Sequence, residues 1–102
     1  MASKNLPGGV GEEKPADSKI QELCDKIKHD FQQKSGIKAE EFKAVKYASQ
    51  VVAGMNHFVK VWLGGDHYVH LRIHEPLHHT GEEPSLHHFQ LHKNQHENIC
   101  HF

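Results

Sequence analysis

The chain has too few cysteines to be stapled: only two in 102 residues, Cys24 and Cys100, which form neither a CxxC pair nor a zinc-ligand quartet. Two distant thiols are expected to stay reduced. No apolar run approaches the roughly 18 residues that span a bilayer, and Met1-Ala2-Ser3-Lys4-Asn5 leads into no apolar signal core. The expectation is a soluble cytoplasmic protein with no membrane partner. Neither charge dominates, at 12 Lys+Arg against 13 Asp+Glu, and Lys and Arg are scattered singly, so no basic stripe offers itself to phosphates and no nucleic-acid partner is expected. There is no Gly-x-Ser-x-Gly elbow, phosphate loop or HExxH. At 102 residues the chain makes one domain. These absences predict a protein that is not an enzyme, with no catalytic residue and no cofactor.

Histidine is the residue in excess: 12, as many as Lys and Arg together. An unperturbed imidazole titrates near pH 6.5, so at about pH 5 the net charge rises from -1 toward roughly +10. His78-His79, His87-His88, His92 and His96 share one C-terminal stretch. Imidazoles on loops accept zinc or copper, which keeps a histidine-rich metal-binding or pH-responsive protein as an alternative function. The stretch has no carboxylate or thiol at a recognisable ligand spacing, so no dedicated metal site is expected.

Residues 1–16 hold three of the eight Gly and two of the four Pro and read as a flexible N-terminal arm. From Asp17 the pattern changes. Ile20, Leu23, Cys24, Ile27 and Phe31 make one helical stripe, Asp17 or Ser18 can cap it, and Ser35-Gly36 ends it. Cys24 on that stripe reads as a small buried hydrophobe.

Four segments then alternate with period two: Val45 and Tyr47; Val59, Val61 and Leu63; Val69, Leu71 and Ile73; Phe89 and Leu91. Gly54-Met55-Asn56, Gly64-Gly65-Asp66 and 77–84 read as the turns, so the strands form an antiparallel meander. Trp62 falls on the face away from the helix. The fold class is α+β, a sheet of four to five strands on one long helix, with a further strand supplied by the arm or the last residues.

Gln50-Val51-Val52-Ala53-Gly54 is an uncharged, small-side-chain run where a hairpin must turn. Alone it is most simply a hairpin. Gly8-Gly9 and Leu77-His78 are two more low-charge tips, and in a meander the first and third turns share one end of the sheet.

These segments, with Phe58-Val59-Lys60-Val61 and Val69-His70-Leu71-Arg72-Ile73, resemble the type-1 cystatins (stefins) over essentially the whole chain. The resemblance implies a single cystatin-like domain over residues 1–102. It also implies reversible inhibition of papain-like cysteine proteases, with papain and cathepsins as partners, through insertion of the N-terminal segment and two hairpins into the active-site cleft. The residues it assigns to protease binding are Gly8, Gly9, Gln50, Val51, Val52, Ala53, Gly54, Leu77 and His78. The family usually has Leu-Pro at the second tip, whereas here Pro76 precedes Leu77 and His78 follows it, without proline's fixed φ. The expected form is mainly a monomer, with a domain-swapped dimer as the product of straightening the first turn.

Overall fold

The computed structural model describes residues 11–77, 81–99 and 102; Gly8, Gly9, His78 and Cys100 lie outside them. In chain order the elements are β1 (Lys14–Pro15), α1 (Ser18–Ser35), β2 (Lys43–Val52), β3 (Gly54–Gly64), β4 (His67–Glu75) and β5 (Ser85–Lys93). Helix α1 begins and ends where local chemistry tells it to. The Asp17 carboxylate accepts the Ile20 N–H at 2.9 Å, satisfying a donor the first turn cannot. Gly36, at φ 76°, turns its N–H back onto the Gln32 carbonyl and stops the helix.

The five strands form one antiparallel sheet in the order β1-β2-β3-β4-β5. The whole α1 stripe is buried against it, packed on Val59, Val61, Val69, Leu71 and Ile73. At about 1.5–3 kcal/mol per fully buried aliphatic or aromatic side chain, this face dominates the stability of the fold. The extra strand comes from the N-terminal arm, where Lys14–Pro15 pairs with Tyr47 and Lys46.

Two details depart from the sequence pattern. Alternation puts Val45 with Tyr47 on the helix side, yet Val45 is 40 % exposed. Ala44 pairs with Val61 and Lys46 with the adjacent Lys60, so Val45 is the extra residue of a β-bulge, and Ala44 takes the inward place. The first hairpin is also tighter than expected: Val52 pairs with Gly54, leaving Ala53 alone at the tip and placing Met55 and Asn56 inside β3.

The sheet face away from α1 is not simply solvated. Ala48, Phe58 and Ile99 are buried together there, with Phe102 edge-on to Phe58 at 5.5 Å. The Lys60 side chain, fully buried, donates to the carbonyls of Asn94, Gln95 and Glu97 at 2.7, 3.0 and 2.5 Å. One acceptor for each ammonium proton is what makes that burial tolerable. Trp62 sits farther along this face, half-exposed, its indole N–H on the Gly65 carbonyl.

Candidate functional site

Strand register decides which loops share an end of the molecule. Met55 faces Glu75 across β3 and β4, so the turn at Ala53 and the segment leaving β4 emerge side by side. The N-terminal segment joins them: the Gly11 N–H donates to the Ser49 carbonyl at 3.0 Å, two residues before Val51.

At this end the surface turns apolar. Among the described residues four large hydrophobic side chains are exposed, and three of them are here: Val51 at 79 %, Val52 at 41 % and Leu77 at 44 %. Ala53 is exposed between the two hairpins' apolar residues. A groove of about 270 Å³ separates the two tips, lined by Lys19, Val51, Gly54, Met55, Pro76 and Leu77 among others. Val51, Val52, Met55 and Leu77 line it with methyl and methylene groups that can be desolvated at little cost, and Lys19 and Glu75 add charged groups to its wall.

Gly54 holds the tips at their spacing. Its φ of 106° is open to glycine and strained for other residues, and a Cβ there would stand 2.4 Å from the Glu75 carbonyl oxygen and 3.2 Å from the Pro76 Cα. The first hairpin therefore packs backbone against backbone on the start of the second loop.

Gln50 points to the other face. Its amide oxygen accepts the Asn56 side-chain amide at 3.4 Å, and the Asn56 oxygen in turn accepts His74 Nδ1 at 2.9 Å. His74 stacks on His87 at 5.0 Å, and burial followed by the His74 charge lowers the His87 pKa.

Beneath the tips, on the helix face, lies a chain of polar contacts that the sequence pattern did not single out. Ser49 Oγ is 2.7 Å from His57 Nδ1, and His57 Nε2 is 2.9 Å from Glu75 Oε1. The second Glu75 oxygen is 3.7 Å from the Lys19 ammonium of α1. Strand register brings Ser49, His57 and Glu75 together, and the packing of α1 on the sheet adds Lys19.

Of the residues expected at the site, Gln50, Val51, Val52, Ala53, Gly54 and Leu77 thus gather at one end of the sheet. Gly8, Gly9 and His78 lie outside the described residues. Among the described residues no three His, Cys, Asp or Glu side chains are grouped so as to hold a metal ion, and no helix is long and apolar enough to cross a membrane.

Comparison with known proteins gives a consistent result. The Cystatin domain profile matches residues 8–96. Stefin-C of Bos taurus is 38 % identical over 102 residues, covering all of both chains. Cystatin-A of Homo sapiens is 37 % identical over 97 residues, 95 % of this chain and 99 % of its own. Leukocyte cysteine proteinase inhibitor 1 of Sus scrofa is 38 % identical over 97 residues, 95 % of this chain and 94 % of its own.

Proposed function

This chain belongs to the cystatin family, and from that premise we propose that it is a reversible, tight-binding inhibitor of papain-like cysteine proteases such as papain and the cathepsins. The observation that carries the reading is the gathering of Val51, Val52 and Leu77, exposed and apolar, at one end of a sheet braced by a helix. The name of the Sus scrofa relative, a cysteine proteinase inhibitor, supports it.

The mechanism is occlusion. The two hairpins form a wedge. The tip of the first, residues 51–54, carries no charge and Leu77 adds an apolar side chain from the second, so these contacts strip water from methyl groups rather than from ions. The turn at Ala53–Gly54 is held by backbone contact, which limits the entropy lost on binding. Gly8 and Gly9 extend the wedge as backbone that can approach the cleft closely, and His78 follows Leu77 at the second tip. No bond is made or broken. We place this action in the cytoplasm and assign it to the monomer.

Titrating papain with the protein at near-equal concentrations should bring activity to zero at about one equivalent. Full turnover at a large excess of the protein would overturn the reading. Val52→Asp, which puts a charge on the wedge, should weaken inhibition by about a hundredfold or more, mainly through faster dissociation.

A further inference from the structure

We propose that His57 is the positioning residue of the wedge, tying its three segments into one surface through Ser49 and Glu75. The inference rests on the inhibitor reading for its consequence and on geometry for its existence.

Ser49 and His57 face one another on β2 and β3, three residue pairs below the first turn, and Glu75 is the last residue of β4. On β3 the helix-facing residues that follow His57 are Val59 and Val61, both fully buried, so an imidazole only 5 % exposed breaks an apolar row. Burying it without partners would be costly, and both ring nitrogens have one. Glu75 as a carboxylate only accepts, so His57 Nε2 donates to it, while Nδ1 meets the Ser49 hydroxyl, a group that can both donate and accept. Through the ring the two strands on either side of β3 are thus joined by side-chain hydrogen bonds.

Each segment of the wedge ends on this chain. The Ser49 carbonyl holds the Gly11 N–H of the N-terminal segment. Ser49 and His57 are the two legs of the first hairpin, facing one another in register. Glu75 begins the second loop, and its own carbonyl is the group against which Gly54 packs. A shift of His57 would thus move all three segments relative to one another.

Two variants separate positioning from bulk stability. His57→Phe fills the space without hydrogen bonds. His57→Gln offers an amide donor for Glu75 and a carbonyl acceptor for Ser49. Dissociation from papain should quicken about tenfold in His57→Phe, with association within about twofold, and His57→Gln should recover most of the loss. Ser49→Ala, which cuts one link and leaves the ring in place, should show a smaller acceleration in the same direction and serves if His57→Phe fails to fold.

Amide exchange gives a readout that needs no protease. The Gly11 N–H should exchange about tenfold faster in His57→Phe or Ser49→Ala than in the parent, and return toward the parent rate in His57→Gln. A parent that fails to inhibit papain refutes the inhibitor reading, while the Gly11 exchange still decides whether the relay holds the segments. Unchanged Gly11 exchange and unchanged dissociation in the folded variants would overturn the assignment.

Discussion

Gly54 shows how much a single residue fixes. Its backbone sits at φ 106°, and the place a side chain would fill is occupied by the Glu75 carbonyl. Gly54→Ala combines backbone strain with a backbone clash, each worth about 1–3 kcal/mol, so urea unfolding should show a loss of about 2–4 kcal/mol. A loss below about 0.5 kcal/mol would mean that the tips have room to separate. Cys24 is the opposite case. Burial, then the Asp25 charge, pushes its thiol up to about 12, so it behaves as a core methyl and not as a reactive group. The tips were legible in the sequence because Val51, Val52 and Leu77 are apolar residues at turns, where exposure is expected. Ser49, His57 and Glu75 were not. They meet along a diagonal across three strands, and a one-residue change in register would have sent each to a different neighbour.

At the scale of the element, α1 was readable almost to the residue because cap, stripe and stop are all local. Asp17 and Gly36 each bond a partner within four residues, and the five apolar positions recur at helical spacing. Their energies differ in kind. Asp17→Ala removes one capping bond and should cost about 1 kcal/mol. Phe31→Ala empties a fully buried site between Phe42, at 5.6 Å, and Phe89, at 5.5 Å, and should cost about 3–5 kcal/mol. Denaturant midpoints of the two variants should preserve that order, and a cap variant as damaging as the core one would mean that the helix is held by its end and not by its stripe. The strands were legible as elements but not in detail, because bulges are decided by pairing. Val45 looks like a core residue until β2 must match β3, whereupon Ala44 and Tyr47 take the inward places. Likewise, nothing local announces that residues 94–99 will lie across the outer face and turn Phe58 and Lys60 into interior residues.

For the molecule as a whole, that covered outer face is where acid should act. His70 lies beneath the C-terminal segment, 1 % exposed, with Nε2 lacking a hydrogen-bond partner among the described residues and Lys60 as its cross-strand neighbour. Burial first, then the charges of Lys60 and Lys93, hold its pKa down to about 4, with Glu97 pulling weakly the other way. An unfolded histidine takes its proton near pH 6.5, so between about pH 6.5 and 4 the unfolded chain binds more protons than the native one. Stability is therefore full above that window and falls as pH drops through it, by about 2 kcal/mol at pH 5 from this residue alone. Glu13 acts in the same direction at lower pH. Burial raises its pKa, but the Lys46 ammonium and the Ile99 N–H outweigh burial and hold the carboxylate below its ordinary range. Protonating it loosens the tie between the N-terminal segment and the C-terminal one. Urea unfolding at pH 7.5 and pH 5.0 should show the difference in the parent and less than half of it in His70→Gln, which stays neutral at both. If His70→Gln kept the whole difference, the acid sensitivity would belong to another group, and the buried imidazole under the C-terminal segment would be a packing feature only.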